Sequence, residues 1–495
     1  MTHSMPDLPS RPARALAVSL LVLSLAACAS SRGLHPQGQL LDGDRLQVSE
    51  TLAHAALTPA AWPDGQWWQA LGDPHLDALV DEALQGTPSL DAADARLRQA
   101  QARAGGANAE RGPKLSASAG YTGLRLPESM VGDELGGRYA GSTQAMLSFS
   151  YGLDLWGGKR AAWEAAVDQA HAAEVDAQAA RLDLSAGIVQ AYVQLDYAWR
   201  MHDVASEELE RSQKLLELTR QRRAAGIDSD VQLRQAQARV PAAQQQQQAA
   251  QQAIDEARTA LAALLGQGPD RGLAIGRPQL AMDAVAALPS VLPSELLGHR
   301  PDVVAARWRV EAAGKGIAAA KAQFYPSLNL TALAGVVSKD IGDLLQASST
   351  FAYLGPALSL PVFDSGRLRS GLAERDAQYD LAVAGYNQSL VQALREVADQ
   401  VNALQSLDGQ LQSQAQALET ADAAFGLAQQ RYRAGIGSYL EALTVQQQVL
   451  AMRQRMAALQ SERLLAAVRL SRALGGGYAP AAVAQAPSVN EIPHS

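Results

Sequence analysis

Cysteine is almost absent from this 495-residue chain: Cys28 stands alone, which excludes a disulfide within the chain. Aromatic residues make up only 5%. The abundance of Ala and Gln instead favours helices packed through thin faces of small residues. Strong charge of either sign is missing too. The net charge is −8, from 42 Lys and Arg against 50 Asp and Glu, with no basic stripe of the kind that binds nucleic acid. Beyond the N-terminus no stretch reaches the ~18 apolar residues of a transmembrane helix, so a membrane role would use acyl chains or strands. His171, His202 and His299 lack metal-ligand spacing. The eight methionines are dispersed, which gives no support to a dedicated copper or silver channel. No Ser-His-Asp set, phosphate loop or paired carboxylates can be assembled.

What is present begins with a processing segment, residues 1–27. Arg11 and Arg14 form a positive region, Ala15 to Leu25 a short apolar one, and Leu25-Ala26-Ala27-Cys28 follows. This order marks a secretory signal. It resembles the bacterial lipobox, which implies cleavage before Cys28 and lipidation of that residue; a plain cleavage site with an incidental cysteine is the other reading. Ala29 and Ser30 follow, with no aspartate second after the cysteine. By resemblance to lipoprotein sorting, that implies the outer membrane. Residues 28–72 form a polar, extended lead-in. Trp62, Trp67 and Trp68 near its end read as a hydrophobic anchor onto the body rather than a ligand site.

The remainder is organised around long helical patterns, each broken once. Leu390, Leu394, Val397, Val401, Leu404, Leu407 and Leu411 recur at spacings of four and three, the seam of helices packed along their length. The helix breaks at Gly435 and Gly437, which can take positive φ, and Ser438 offers an N-cap to the returning helix. About 65 residues of helix, at ~1.5 Å each, would span on the order of 100 Å. A second such pattern carries the seam Ile188, Tyr192, Leu195, Trp199, His202, Ser206 and Leu209, and breaks at Gly226.

Between helices the period changes to two. Ala145, Leu147, Phe149, Tyr151, Leu153 and Leu155 alternate with Gln144, Met146, Ser148, Ser150, Gly152 and Asp154, a strand with one apolar and one mostly polar face. Similar alternation starts at Leu115, at Leu328 and at Ala352. The chain repeats itself at an offset close to 209 residues in its later matches: Gln221-Arg222-Arg223-Ala224-Ala225-Gly226-Ile227 matches Gln430-Arg431-Tyr432-Arg433-Ala434-Gly435-Ile436. The first repeat is expected over 73–290, with strands near 114–125 and 142–156 and long helices near 158–225 and 229–266. The second is expected over 291–476, with strands near 327–337 and 350–363 and long helices near 366–434 and 438–475. A tail, 477–495, follows.

Four strands with an apolar face leave open edges and are too few to close a barrel. Their length and alternation match transmembrane β-barrel strands, apolar side to lipid and polar side to a lumen. Closure therefore needs copies of the chain. Three would give 12 strands, although sequence alone does not fix that number.

The lipobox, Trp67-Trp68 before Gly72-Asp73-Pro74, Arg300-Pro301-Asp302, Tyr325-Pro326-Ser327-Leu328, Phe363-Asp364-Ser365-Gly366-Arg367 and Arg433-Ala434-Gly435-Ile436-Gly437-Ser438-Tyr439-Leu440 together resemble the TolC superfamily, and within it the NodT-type outer-membrane lipoproteins of efflux systems. The resemblance spans nearly the whole mature chain. It implies an α+β membrane fold: a homotrimer with one 12-stranded β-barrel in outer-membrane lipid, continued by an α-helical coiled-coil barrel into the periplasm. It also implies a periplasmic adaptor (membrane-fusion) protein and an inner-membrane pump, usually of the resistance-nodulation-division type, as partners. The expected function is an exit duct for exported small molecules, which by the resemblance binds no cofactor and catalyses no reaction. Two other readings are the duct of a type I protein secretion system and a structural coiled-coil lipoprotein. The alternating strands count against the last, since a spacer has no use for a lipid-facing surface.

By the same resemblance, the turns at Gly226 and Gly435 form the periplasmic tip, where the channel narrows and the adaptor docks. Ser229-Asp230-Val231-Gln232, and Tyr432 with Glu441, fall where the family places constriction residues. Repeated by symmetry, Asp230 and Glu441 would form acidic rings favouring cations; alternatively Asp228 and Asp230 only cap a helix N-terminus. Thr444 stands where some relatives carry a second acid. Gly437 stands where a tip arginine can sit, which removes any ionic lock from that position. Arg222, Arg223, Arg431 and Arg433 read either as adaptor contacts and inter-helix locks or as solvated helix C-termini. Gly226, Asp228, Ser229, Gly435, Gly437 and Ser438 complete the two tips.

Overall fold

The computed structural model of the chain describes residues 30–43, 46, 62–125, 127–132, 137, 139–281 and 296–478. The signal segment, Cys28 and residues 479–495 lie outside the described residues. The main elements are α1 (Pro74–Gln85), α2 (Pro88–Ala109), β1 (Lys114–Arg125), β2 (Tyr139–Leu153), α3 (Gly158–Ala224), α4 (Asp230–Leu264), α5 (Pro301–Ala322), β3 (Ser327–Ser338), β4 (Thr350–Ser359), α6 (Arg367–Arg433) and α7 (Tyr439–Ala473). From α2 the order helix, strand, strand, long helix, helix occurs twice. α3 and α6 each hold 67 residues, and α4 and α7 each hold 35. Among the described residues no helix is long and apolar enough to cross a membrane.

Two strands end earlier than the alternation suggested, at Leu153 and Ser359. Aspartates take over the backbone there. Asp154 accepts from Lys159 N–H at 3.1 Å and Arg160 N–H at 2.8 Å. Asp364 accepts from Gly366 N–H at 3.1 Å and Leu368 N–H at 2.9 Å. Each carboxylate satisfies N–H groups that the first helical turn leaves free. Pro361 adds a residue with no N–H to extend a ladder.

The chain contains two compact units. The first draws on residues 30–40, 97–173 and 306–386 and holds the sheet. Its strands run in the order β1-β2-β3-β4, each antiparallel to the next. The register sets Leu115, Phe149, Ala332 and Leu354 side by side, and Ala117, Leu147, Ala334 and Ala352 beside them. One face is thus apolar across all four strands. Its large members Leu115, Leu147, Leu354 and Leu358 are exposed, which is unusual for so broad an apolar surface on a soluble protein. The opposite face is polar on β1 and β2, with Ser116, Ser118, Gln144, Ser148 and Ser150, but becomes mixed on β3 and β4 through Leu333, Phe351 and Tyr353. Neither β1 nor β4 pairs along its outer edge among the described residues.

In the same unit, Ile317, Phe324, Leu368 and Leu372 form a small core to which Leu34 adds. An N-terminal strap lies along α6. Gln37 and Gly38 donate backbone N–H to Asp380 Oδ1 at 2.8 and 2.6 Å, and Arg369 Nη1 donates to the Ser30 and Arg32 carbonyls.

The second unit draws on residues 41–96, 174–305 and 387–478 among those described. Its main core gathers Trp67, Trp68, Leu76 and Val80 against Ile188, Tyr192, Leu195, Ile254, Leu261 and Leu464. The tryptophans thus anchor the lead-in, and Trp62 stacks on His299 with ring centroids 4.2 Å apart. Asp73, 1% exposed, ties this core together. It accepts from Tyr192 Oη at 2.7 Å, Gln279 N–H at 2.7 Å and His75 N–H at 3.0 Å. Burial pushes its carboxyl up, but the bonds from Gln279, Tyr192 and His75 outweigh that and hold it below its ordinary value. Arg300 plays a similar part in the second half, bonded to Asp302, Glu396 and the Ala473 carbonyl.

The expected seam of α6 is buried at Leu390, Leu394, Val397, Val401 and Leu407. That of α3 holds at Ile188, Tyr192 and Leu195, then departs. Toward the turn the buried line passes through Ala205, Glu208, Ser212, Leu215, Thr219 and Arg222, while Ser206 and Leu209 are half-buried. Polar side chains occupy seam positions there, where hydrophobic periodicity cannot mark them.

Candidate functional site at the hairpin turns

The α3–α4 and α6–α7 turns have the same backbone design. Gly226 and Gly435 sit at φ +76° and +79°. Ile227 N–H returns to the Arg222 carbonyl at 2.9 Å and Gly226 N–H to the Arg223 carbonyl at 3.0 Å. Ile436 N–H to Arg431 at 3.1 Å and Gly435 N–H to Tyr432 at 3.2 Å repeat the pattern. This is the Schellman closure, which needs a left-handed residue just past the helix. Returning helices start at Ser229 and Ser438. Ser438 Oγ accepts from Glu441 N–H at 3.1 Å, and Ser229 N–H donates to Gln232 Oε1 at 2.6 Å.

Gly437 departs from expectation, since it is not among the glycines at positive φ. Space constrains it instead: a Cβ there would lie 2.9–3.0 Å from Arg431 and from Tyr432 N. Gly435→Ala is expected to loosen the tip through the left-handed penalty, roughly 1–2 kcal/mol. Hydrogen exchange across residues 431–438 reads this directly, and unchanged protection would refute it.

The two turns are joined by a buried polar cluster. Arg222 grips Asp228 through both carboxylate oxygens, Nε to Oδ2 at 3.0 Å and Nη2 to Oδ1 at 3.2 Å. Both side chains are buried, at 8% and 3% exposure. Arg222 Nη1 crosses to the Tyr432 carbonyl, and its guanidinium lies 4.3 Å from the Tyr432 ring centre. The Tyr432 hydroxyl meets Asp228 Oδ2 and, at 3.1 Å, Thr219 Oγ1. Burial, then the bond to Asp228, pushes the Tyr432 phenol up to about 12. The Arg222 guanidinium is raised chiefly by its bond to Asp228. Leu215, Leu216, Ala236, Tyr439 and Ala442 pack around the cluster.

Three expectations change accordingly. Tyr432 is fully buried within the single chain, so its ring does not line a constriction in this conformation. Arg222 and Asp228 are committed to each other and to Tyr432, which leaves neither as a free docking side chain. Asp228 is not the cap of α4 either, since Ser229 holds that position. The tip nevertheless holds a buried ion pair, between Arg222 and Asp228 of the first turn.

The remaining tip residues are exposed. Asp230 pairs with Arg223 at 2.9 Å, and Glu441 with Arg431 at 3.6 Å; surface pairs of this kind contribute little to stability. Arg433 is exposed at the end of α6. Four apolar side chains are also exposed, Ile227 with Val231 and Ile436 with Leu440; the sequence reading included Val231 in the constriction stretch and gave the other three no role. Their signal was available, because each pair stands at the same place in its repeat, directly after the turn glycine and four residues on.

A family model described as outer membrane efflux protein matches residues 79–267 and again 292–476. The fusaric acid resistance protein FusA of Burkholderia cepacia is 39% identical over 367 residues, 73% of this chain and 69% of its own length. The multidrug resistance outer membrane protein MdtP of Escherichia coli K12 is 31% identical over 465 residues, covering 92% of this chain and 94% of its own. Among solved structures, the outer membrane protein VceC of Vibrio cholerae superposes with a TM-score of 0.77 at 36% identity, over 84% of this chain and 100% of that one.

Proposed function

The chain belongs to the outer membrane efflux protein family, and from that premise we propose that it is the exit duct of a tripartite efflux system. Its place is the bacterial outer membrane. The observation that carries the duct reading is the sheet: four strands with one continuous apolar face and two edges left unpaired among the described residues. Exposed edges are a liability, and pairing β4 of one copy with β1 of the next removes them. Three copies make a 12-stranded barrel, apolar side to lipid. The helical hairpins then form the periplasmic part. A periplasmic adaptor and an inner-membrane pump, of the resistance-nodulation-division type, complete the system and supply the energy. The names of FusA and MdtP, for fusaric acid and multidrug resistance, support small molecules as cargo.

At the tip, Arg222, Asp228 and Tyr432 act as a lock holding the two hairpins together. The exposed Ile227, Val231, Ile436 and Leu440 offer the adaptor an apolar contact on each turn. Asp230 and Glu441, exposed beside them, filter ions as acidic rings. Double substitution of Asp230 and Glu441 by alanine is expected to reduce cation selectivity in planar bilayers. Unchanged reversal potentials would sink the ring reading without touching the duct. The duct itself is tested by the purified protein: a trimer by native mass spectrometry with discrete single-channel steps is expected, and a monomer without conductance would refute it.

Cys28 anchors each chain to lipid. Arg369, in the first turn of α6, holds the Ser30 carbonyl, which fixes the chain two residues after the anchor. Cys28→Ser is expected to abolish acylation while leaving trimers partly competent. Normal incorporation of labelled fatty acid in that variant would overturn the assignment.

A further inference from the structure

About 24 Å back from the end of α3, at ~1.5 Å per residue, the buried line reaches Glu208. It is 3% exposed. Its Oε1 accepts from Gln446 Nε2 of α7 at 2.9 Å and from Ser212 Oγ at 3.4 Å. Its Oε2 is buried without any donor. So is Oε1 of Gln446, a side chain that is 1% exposed. Two oxygens of one hydrogen-bonded pair thus lack a partner among the described residues. An ionised carboxylate cannot satisfy either, because it only accepts, and an amide oxygen only accepts as well.

The neighbouring guanidiniums bond other groups rather than Glu208, and Arg211 Nη1 and Arg239 Nε are themselves buried without a partner among the described residues. Arg211, on α3 itself, and Arg239, on α4, face Glu208 without forming an ion pair with it. Arg211 Nη2 bonds Glu207 Oε2 at 2.7 Å. The Arg239 guanidinium faces the Gln447 amide, and exchanging that amide's oxygen and nitrogen gives an acceptor 2.8 Å from Nη2. Arg453 of α7 holds Glu207 and Asp422 of α6. Two guanidiniums facing the carboxyl also argue against a bound metal cation.

We propose that Glu208 is a proton-binding site in the hairpin wall, held as the neutral acid so that Oε2–H donates to Gln446 Oε1 and closes a two-bond acid–amide ring between α3 and α7. The proton comes from solvent and returns to it on ionisation; nothing else is exchanged. Burial pushes the Glu208 carboxyl up, against the lowering by Gln446 and the two arginines, which agrees with a neutral acid. The folded chain then carries a proton that the unfolded chain has lost. Its contribution to stability is complete below the ordinary carboxylate range and is lost as pH rises through the raised value. The α3–α7 contact is therefore tightest in acid and loosens toward alkaline pH. This inference concerns one chain and stands whether or not the duct reading does.

Infrared difference spectroscopy on the full-length protein tests it. The wild type is expected to show a protonated-carboxyl stretch at neutral pH that is absent from Glu208→Gln and disappears on alkaline titration. Glu208→Gln keeps a two-bond ring as an amide pair. Its melting temperature is expected to be flat from mildly acidic to mildly alkaline pH, where the wild type falls by a few degrees. Gln446→Met keeps the acid but removes its partner, and is expected to shift the band. A wild-type spectrum with no such band at neutral pH overturns the proposal, as does a band unmoved in Gln446→Met. Parallel pH slopes in wild type and Glu208→Gln overturn it too.

Discussion

Leu147→Lys is expected to keep this protein out of the membrane, while Ser148→Lys, one residue further along the same strand, leaves insertion intact. The two positions project from opposite faces of β2. Leu147 lies between Ala117 and Ala334 on the continuous apolar face, and Ser148 lies between Ser116 and Leu333 on the other. In a barrel, a lysine on the lipid side near the bilayer midplane costs about 2–4 kcal/mol per chain, a cost the proposed trimer would meet three times. On the lumen side the ammonium remains in water and alters only the passing ions. The measurement is the amount of each variant recovered in the outer-membrane fraction, followed by single-channel selectivity. Equal recovery of both variants would mean that the apolar face does not meet lipid. Ser148→Lys failing while Leu147→Lys inserts would mean that the faces are reversed.

Arg222→Ala is expected to give the largest effect at the tip. It leaves the Asp228 carboxylate buried with only the Tyr432 hydroxyl and removes the bond to the Tyr432 carbonyl. Breaking a buried pair by removing one partner costs on the order of 3–5 kcal/mol. With solvent close at the hairpin end, about 3 kcal/mol is expected. The hairpins then separate more readily, and resting conductance in planar bilayers should rise severalfold. Tyr432→Phe removes one neutral partner and keeps the ion pair, so its effect should be smaller, about 1 kcal/mol. Equal conductance in Arg222→Ala and wild type would show that the cluster stabilises the fold without holding the tip closed.

Legibility in the sequence varied with the type of signal. The strands and the long helices could be read because period two and period three-to-four persist over many residues. Their ends were less legible: β2 and β4 stop where Asp154 and Asp364 turn to the next helix, a preference carried by one side chain. The α6 seam was legible because it is apolar throughout. The lower α3 seam was not, because Glu208, Ser212, Thr219 and Arg222 are buried there and each reads as surface in a linear pattern. Gly435 was read correctly as a residue at positive φ. Gly437 was not, because its constraint is the nearness of Arg431 and Tyr432, which no local rule contains.

By itself the sequence determined the elements: two similar halves, each with two half-apolar strands and a glycine-broken pair of long helices. These follow from local propensity and periodicity, which act between residues close in the chain. Only the tertiary structure decided which polar groups meet. Gly435 sits in a turn closed by local backbone bonds, as its sequence suggested. The residue three before it, Tyr432, is instead held by Arg222 and Asp228 from more than 200 residues away. A buried ion pair and a buried acid–amide pair depend on which side chains leave water together, and packing of the folded chain sets that.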